Sequence, residues 1–296
     1  MILIRTILEV SSGILQVSTE YNELETVDKE RACDREAREM LSAILDVTPG
    51  EVSRRSDKLV DESTAQRAYE AARRRSLGEP LAYCLGSAAF RHLILNVDSR
   101  VLIPRPETEV VVDEALKVTA SQSGGIAIDI GTGSGAIAIS LATEGKFDRV
   151  IATDLSPDAL AVASGNANRI MGQSSIVEFR KGGDFEPLSG VKARVIVSNP
   201  PYISPDERSS LPASVREWEP SMALFADEGG MARYDVRLAG APGHLENGGW
   251  LVLEVDSRRA GETARRARED GRYSEVRLLK DLSGRQRVLV ARYNPA

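Results

Sequence analysis

An unusual tetrapeptide, Asn199-Pro200-Pro201-Tyr202, directly follows the apolar run at residues 194–198. Consecutive prolines fix the backbone and remove amide donors, while their carbonyl oxygens can still accept hydrogen bonds. The Asn199 side-chain oxygen and the Pro200 carbonyl oxygen together match the two hydrogens of one NH₂ group. Tyr202 adds a flat face for a planar substrate. We predict that Asn199, Pro200 and Tyr202 are catalytic and that all four residues bind substrate, the alternative being a rigid proline turn.

A glycine-rich segment, DIGTGSG at residues 129–135, follows the apolar run IAIDI. Glycines allow a sharp turn and the close approach of a ligand. The helix that begins there presents unpaired N–H groups to a carboxylate. The spacing G-x-G-x-G differs from that of dinucleotide-binding folds. The predicted cofactor-binding residues in this turn are Gly131, Thr132, Gly133, Ser134 and Gly135. A tight turn without a ligand is the alternative.

A carboxylate, Asp154, ends the next apolar run, VIATD. In a nucleoside-binding α/β sheet, an acidic residue at the tip of the second strand reaches ribose hydroxyls. The alternative is a helix cap, formed by Asp154 or by Ser156. Since the glycine turn precedes it, Asp154 is predicted to bind the cofactor.

The chain from residue 125 onward alternates apolar runs with amphipathic segments. The early runs are continuously apolar, which is typical of parallel strands buried on both faces. The last two runs, SEVRLLKD and RVLVARY, lie too close together for a parallel crossover and should pair antiparallel. The pattern predicts an α/β fold with a doubly wound, Rossmann-like sheet and a reversed strand near its C-terminal end.

The part of the chain before residue 105 has a different character. Residues 1–82 carry helical patterns with charged faces, which predict a small helical domain. Residues 83–104 predict a β-hairpin linker with its turn at Asp98-Ser99. A helix is then expected to resume at EVVVDEALKVTA, after two prolines. Residues 105–296 would form the catalytic domain.

Composition excludes several classes of protein. The 296 residues carry a net charge of −6, so no direct nucleic-acid substrate is expected. Two cysteines and two histidines give neither a disulfide framework nor a zinc signature, and no metal is predicted. No apolar run is long enough to span a membrane, and the apolar start is interrupted by Arg5 and Glu9. A cytoplasmic protein is expected.

The three motifs together resemble class I S-adenosylmethionine methyltransferases that act on planar nitrogens. Adenine-N6 DNA methylases and glutamine-N5 protein methylases share the tetrapeptide. Four further segments, GEPLAY at 78–83, LIPRPETE at 102–109, EPSMAL at 219–224 and DLSGRQR at 281–287, resemble the bacterial release-factor glutamine methyltransferases, the PrmC/HemK group. The likeness runs from about residue 78 to residue 292.

The resemblance implies a seven-stranded sheet in the order 3-2-1-4-5-7-6 with strand 7 antiparallel. It implies S-adenosylmethionine as cofactor and peptide chain release factors as partners, methylated at the side-chain nitrogen of the glutamine in a Gly-Gly-Gln motif. The N-terminal helices would recognise that partner. Asn199 would contact both cofactor and substrate, and Asp184 and Phe185 would lie on the adenine side.

The chain departs from the family pattern at two places. Val255-Asp256 and Arg259 stand where the family usually has Ile-Gly and a glutamine. The segment KGGDFEPL is one residue shorter than usual before Phe185. Three alternative functions remain: a ribosomal-protein glutamine methylase, an adenine-N6 nucleic-acid methylase, and a non-catalytic module that keeps the cofactor fold.

Overall fold

The computed structural model of the chain describes residues 1–18, 21 and 25–295. They divide into one compact unit of Met1–Ser87 with Pro212–Trp218 and a second of Ala88–Leu211 with Glu219–Ala296. The helices are α1 (Ile4–Leu15), α2 (Thr26–Leu45), α3 (Pro49–Arg54), α4 (Glu62–Ser76), α5 (Leu81–Leu85), α6 (Pro106–Thr119), α7 (Ala136–Glu144), α8 (Pro157–Met171), α9 (Ala213–Trp218), α10 (Ser221–Leu224), α11 (Asp227–Gly230), α12 (Ala232–Gly240) and α13 (Ala260–Glu269). The strands are β1 (Ile2–Leu3), β2 (Leu59–Val60), β3 (Ser87–Phe90), β4 (Leu93–Asn96), β5 (Ile126–Ile130), β6 (Arg149–Asp154), β7 (Val177–Lys181), β8 (Ala193–Ser198), β9 (Leu245–Glu254), β10 (Tyr273–Lys280) and β11 (Gln286–Tyr293).

The first unit is built mainly from helices that bury their apolar faces. In α2 the buried residues Ala37, Met40 and Leu41 recur at helical spacing. Arg75 in α4 donates to the Glu36 carboxylate in α2 at 2.5 Å, and both side chains are about nine-tenths buried. This ion pair joins the two helices inside the unit. The predicted helical character of the N-terminal region is confirmed.

The second unit carries a seven-stranded sheet in the order β10-β11-β9-β8-β5-β6-β7. The pairs among β9, β8, β5, β6 and β7 are parallel, whereas β11 is antiparallel to both of its neighbours. Numbered from β5, this is the predicted order 3-2-1-4-5-7-6. The predicted α/β, Rossmann-like fold is therefore confirmed, and it brings the carboxyl ends of β5, β6 and β8 to one edge.

The hairpin turn lies elsewhere than predicted. β3 and β4 pair across Arg91 and His92, not across Asp98-Ser99. Arg91 has a left-handed backbone with φ of 54°, and its guanidinium pairs with the Asp113 and Glu144 carboxylates. These two ion pairs stabilise a residue that sequence patterns do not favour at a tight turn. Asp98 instead stabilises a later turn, where its carboxylate accepts from the Arg100 amide.

α6 begins three residues earlier than predicted, at Pro106. Proline is tolerated at the first helical position because the amide there has no intrahelical acceptor, and its fixed φ suits the helix. Starting the helix at Pro106 places Thr108 in its first turn, buried to 4% exposure. This shift matters for the site described next.

Candidate active site

A cavity of about 200 Å³ opens at the edge where β5, β6 and β8 end. Six of the predicted site residues line it: Gly131, Gly133, Asp154, Asp184, Asn199 and Pro201. Ligands of open α/β sheets bind outside the carboxyl ends of the strands, at the point where the strand order reverses. The cavity occupies that position.

The three glycines of this turn have two different structural roles. Gly131, Gly133 and Gly135 have φ of 80°, 55° and 86°, a region that favours glycine. A Cβ built at Gly131 or Gly133 meets no heavy atom within 4 Å, so it would project into open space where these residues line the cavity. A Cβ at Gly135 would lie 3.0 Å from Ile139 and 3.2 Å from Ala163. Gly135 therefore serves helix packing, whereas the first two glycines leave room for a ligand.

Thr132 and Ser134 support the turn from inside the protein. The Thr132 hydroxyl donates to the Asp129 carboxylate at 2.7 Å, and the Ser134 carbonyl accepts from Asn166 at 2.9 Å. Burial raises the pKa of Asp129 to about 7, against hydrogen bonds from Thr132 and the Ala138 amide that lower it. Neither Thr132 nor Ser134 belongs to the cavity lining within the described chain. Their predicted contact with cofactor stays a prediction.

The Asp154 carboxylate connects the glycine turn after β5 with the loop after β6. One carboxylate oxygen accepts from the Gly133 amide at 2.9 Å, and the other accepts from the Ser156 amide at 2.9 Å. The Ser156 hydroxyl accepts from the Ala159 amide and is the N-cap of α8. Ser156 rather than Asp154 therefore caps the helix, and Asp154 is left lining the cavity.

Asp184 and Phe185 have different environments. The Asp184 carboxylate lines the cavity and accepts from Arg237 and, at 3.2 Å, from Arg233. The Phe185 ring stacks on His244, with centroids 5.1 Å apart and planes at 10°. Phe185 is absent from the described cavity lining, so the structure does not bring it together with the other candidates.

The arginines that hold Asp184 were not identified from the sequence. Arg233 and Arg237 are one helical turn apart in α12, on the same face. The Arg237 guanidinium also donates to the Ser198 hydroxyl at 3.2 Å, and that hydroxyl donates to the Ile130 carbonyl at 2.6 Å. The i, i+4 spacing of two arginines was the available signal for this face of the cavity.

Asn199 lines the cavity with a defined amide orientation. Its Nδ2 donates to the Thr108 hydroxyl at 3.2 Å, and the Thr108 hydroxyl donates to the Glu254 carboxylate at 2.5 Å. Within the described chain, Asn199 Oδ1 accepts no hydrogen bond. This oxygen is therefore an acceptor available to a ligand.

The other residues of the tetrapeptide differ in exposure. Pro201 lines the cavity, Pro200 is buried, and Tyr202 is partly buried against an apolar cluster. Burial and the Glu254 charge raise the pKa of Tyr202 well above its usual value. Pro200 and Tyr202 do not contribute to the described lining, so their catalytic assignment remains a prediction.

The segment after β9 contains the first of the two departures, at Asp256 and Arg259. Burial alone would raise the pKa of Asp256, but hydrogen bonds from Arg258 and the charges of Arg258 and Arg259 hold it below its usual value. The Arg259 guanidinium also donates to the Glu207 carboxylate at 2.5 Å and to the Gly229 carbonyl at 2.6 Å. Asp256 and Arg259 lie outside the described cavity lining. They pair with each other, and Arg259 also connects the loops that contain Glu207 and Gly229.

Gly230 packs closely against Tyr202 and Arg259. Its φ is 86°, and a Cβ there would collide with the Tyr202 carbonyl oxygen and the Arg259 guanidinium. The backbone that follows the tetrapeptide thus packs directly against a glycine, and no other residue fits at this position without movement of Tyr202 or Arg259.

Two kinds of feature are absent from the described residues. No helix among them combines the length and apolar character needed to cross a membrane. Residues 1–18, 21 and 25–295 also contain no group of three or more His, Cys, Asp or Glu side chains arranged to hold a metal ion.

Known families and relatives match most of the chain. A family described as methyltransferase small domain matches residues 108–213, and one described as PrmC N-terminal domain matches residues 23–86. The release factor glutamine methyltransferase of Moorella thermoacetica is 40% identical over 86% of this chain and 90% of its own length. Those of Rhodopirellula baltica and Cereibacter sphaeroides are 37% and 36% identical over 79% and 87% of this chain, and over 80% and 90% of their own lengths.

Solved structures share the fold at low sequence identity. A methyltransferase from Pyrococcus furiosus superposes with a TM-score of 0.51 at 20% identity, over 68% of this chain and 89% of its own. The hMettl16 catalytic domain in complex with a 3′UTR hairpin gives a TM-score of 0.54 at 15% identity, over 79% of this chain and 82% of its own. These matches identify the fold of a class I methyltransferase.

Proposed function

Because this chain belongs to the release factor glutamine methyltransferase family, we propose that it methylates peptide chain release factors. The proposed acceptor is the side-chain amide nitrogen (N5) of the glutamine in their Gly-Gly-Gln motif. S-adenosylmethionine is the cofactor of this family's methyltransferase domain. A cytoplasmic location belongs to the same proposal, since the substrate is part of the translation machinery.

The cavity fits the cofactor in its chemistry. Gly131 and Gly133 leave open the space that a Cβ would occupy, and the Asp154 carboxylate is an acceptor for hydroxyl groups. Asp184 borders the same cavity, and the ring of its neighbour Phe185 stacks on His244. When bound, S-adenosylmethionine supplies an electrophilic methyl group. We propose that these residues bind it, with Thr132, Ser134 and Gly135 supporting the turn.

The observation that carries the proposed reaction is the orientation of Asn199. Its NH₂ group is engaged by Thr108, so its oxygen is the end available to a substrate. Asn199 Oδ1 and the Pro200 carbonyl oxygen would then accept the two hydrogens of the glutamine NH₂ group. Pro201 and Tyr202 would bound the planar amide.

Two acceptor oxygens on one NH₂ group would help to overcome the low reactivity of an amide nitrogen. An amide nitrogen is a weak nucleophile because its lone pair is delocalised into the carbonyl group. Acceptors that hold both hydrogens aim the nitrogen, and such positioning contributes about 7–11 kcal/mol where near-attack geometry is reached. As the nitrogen–methyl bond formed and the methyl–sulfur bond of the cofactor broke, the hydrogens would become more positive; S-adenosylhomocysteine would be the leaving group, and one hydrogen would be lost to water as a proton. The two oxygens therefore bind the transition state more strongly than the ground state.

The first unit is proposed to recognise the release factor. Its helices carry charged faces, and the predicted site residues all belong to the second unit. Hydrogen exchange in the presence of an intact release factor tests this role. Protection of amides in α1, α2 or α4 is expected, and protection confined to the second unit would contradict it.

The substrate is tested by competing acceptors. The enzyme is incubated with labelled S-adenosylmethionine and an intact release factor, the same factor with its motif glutamine replaced, total ribosomal protein, or DNA. Label is expected in the intact factor alone. Label in ribosomal protein or DNA would replace the proposed substrate by that acceptor, and cofactor binding without transfer to any acceptor would favour a binding module.

A further inference from the structure

Three polar side chains from distant parts of the second unit form a continuous hydrogen-bonded chain. Glu254 ends β9 and is 1% exposed, and Thr108 lies in the first turn of α6 and is 4% exposed. Thr108 donates to Glu254 at 2.5 Å, and Asn199 donates to Thr108 at 3.2 Å. Of the three, Asn199 alone lines the cavity. In the reaction as proposed above, Thr108 is only the hydrogen-bond partner of Asn199, and Glu254 has no role.

The chain has a direction, because a hydroxyl group has only one hydrogen. Thr108 gives that hydrogen to Glu254, which as a carboxylate can only accept. The Thr108 oxygen then offers only lone pairs to Asn199. The asparagine must present its NH₂ group to Thr108, and its oxygen is turned to the other side.

We infer that Thr108 and Glu254 are positioning residues that hold the Asn199 amide with Oδ1 available to the substrate. The inference rests on the proposed role of Asn199. An asparagine side chain is nearly symmetric in shape, and a rotation of about 180° would exchange its acceptor for a donor. A donor would repel the substrate NH₂ group. The Glu254 carboxylate thus determines, through one hydroxyl, which end of Asn199 the substrate meets.

Burial makes Glu254 an unusual choice for a purely structural contact. Burial raises the pKa of Glu254 to about 7, against the Thr108 hydrogen bond and the Arg287 and Arg105 charges, which lower it. Burying a charged group costs free energy unless it is paired and hydrogen-bonded. A contact that only joined α6 to β9 would not need a carboxylate. The orientation of Thr108 requires an acceptor that cannot donate, which Glu254 is in its ionised form.

The first test changes the hydroxyl group. Thr108→Val keeps the shape of the side chain and removes the hydroxyl, whereas Thr108→Ser keeps the hydroxyl. We expect Thr108→Val to lower kcat on a release factor about 10- to 100-fold, less than the ~10²- to 10³-fold loss on removing a preorganised group itself, because Asn199 is still present. Its dissociation constant for S-adenosylmethionine, measured by calorimetry, should change less than about twofold, since the turn that binds cofactor is untouched. Thr108→Ser should restore most of kcat.

The matched control lies on the same helix. Thr119 is buried to 7% exposure, and its hydroxyl donates to the Ala115 carbonyl at 2.7 Å inside α6. Thr119→Val removes an equally buried hydroxyl that has no link to Asn199. Its kcat should match that of the parent enzyme. Equal loss of kcat in Thr119→Val and Thr108→Val would show a general effect on α6 and overturn the inference.

A second variant removes the directing carboxylate. In Glu254→Met the Thr108 hydrogen has no acceptor at residue 254 and is free to turn towards Asn199. We expect thermal stability to change little, because the loss of a costly buried carboxylate offsets the loss of its hydrogen bond, and kcat to fall about tenfold or more, because Asn199 is no longer held in one orientation. This variant decides the matter if Thr108→Val does not fold. Unchanged kcat in Glu254→Met would overturn the inference.

A double-mutant cycle separates this inference from the proposed site. With Asn199→Ala already present, Thr108→Val should lower kcat by less than about twofold, because coupled residues lose their effects together. Independent, multiplying losses would overturn the inference. If Asn199→Ala alone leaves kcat near normal, the proposed role of Asn199 fails. If Asn199→Ala is slow while Thr108→Val is normal, only the positioning role fails.

Discussion

The two ends of the cavity are built in different ways. At the glycine turn, Asp154 accepts from Gly133, 21 positions away, and from Ser156, two positions away. At the other end, Asn199 is held by Thr108, 91 positions away, which in turn bonds Glu254, 146 positions away. The first end is determined by local backbone geometry and the second by tertiary packing. The proposed cofactor end is therefore visible as a sequence motif, whereas the proposed acceptor end is visible only in part.

Substitutions at the acceptor end should lower turnover and leave cofactor affinity nearly unchanged. Asn199→Ala should lower kcat about 10²- to 10³-fold, because it removes a group that acts mainly in the transition state. Cofactor affinity, measured by calorimetry, should change far less. Asn199→Asp should also bind cofactor well and turn over slowly, since it keeps an acceptor but cannot donate to Thr108. Near-normal turnover in Asn199→Ala would return the tetrapeptide to a structural turn.

Damage to the cofactor end should instead appear in binding. Asp154→Ala is expected to weaken S-adenosylmethionine binding by about 1–3 kcal/mol, the cost of leaving polar groups unpaired. Asp158 is an exposed carboxylate in the first turn of α8 and provides a control of equal charge. Asp158→Ala should bind cofactor as the parent does. Equal affinities in Asp154→Ala and the parent enzyme would remove Asp154 from the proposed site.

Gly131 and Gly135 belong to the same turn but have different roles. Gly131 leaves space for a ligand, whereas Gly135 allows close packing of α7. Gly131→Ala and Gly135→Ala both place a side chain at positive φ, at about 1–2 kcal/mol of strain each. The added methyl at Gly131 projects into the open space of the cavity and should weaken cofactor binding as well. At Gly135 it meets Ile139 and Ala163 and should lower thermal stability further. Weaker cofactor binding in Gly135→Ala, together with the larger loss of thermal stability in Gly131→Ala, would contradict these two roles.

The smallest expected effect concerns Phe185. Its ring stacks on His244, and Phe185 is absent from the described cavity lining. Phe185→Leu should change the cofactor dissociation constant less than about threefold, since contacts outside the site contribute mainly to packing. Asp184→Ala should change it more, because it removes a charged group from the lining. A larger effect of Phe185→Leu on affinity would give the ring a direct role in binding.

The apolar runs and the short last connection predicted a doubly wound sheet with a reversed strand near its C-terminal end, and the resemblance to a known family supplied the strand order. It also predicted the three motifs at the strand ends, which depend on residues close together in the chain. It missed the hairpin turn at Arg91, because the ion pairs that stabilise that turn come from α6 and α7.

Thr108 and Glu254 were missed for a similar reason. Both lie in segments that resemble the family, LIPRPETE and the end of LVLE, but neither segment shows that the two side chains meet. Only the packing of α6 against β9 brings them together. The early start of α6 at Pro106, which places Thr108 in the first turn, depends on a proline tolerated at that one helical position.

Gly230 has a consequence for experiments that replace every residue in turn. A methyl group there collides with the Tyr202 carbonyl oxygen and with Arg259, so Gly230→Ala would displace the backbone that leads out of the tetrapeptide. A survey scored only by product formation would rank Gly230 beside Asn199, although Gly230 has no side chain to offer a substrate. High sensitivity at such a position reports steric exclusion, and mapping it as chemistry would enlarge the active site by a residue that never touches the reactants.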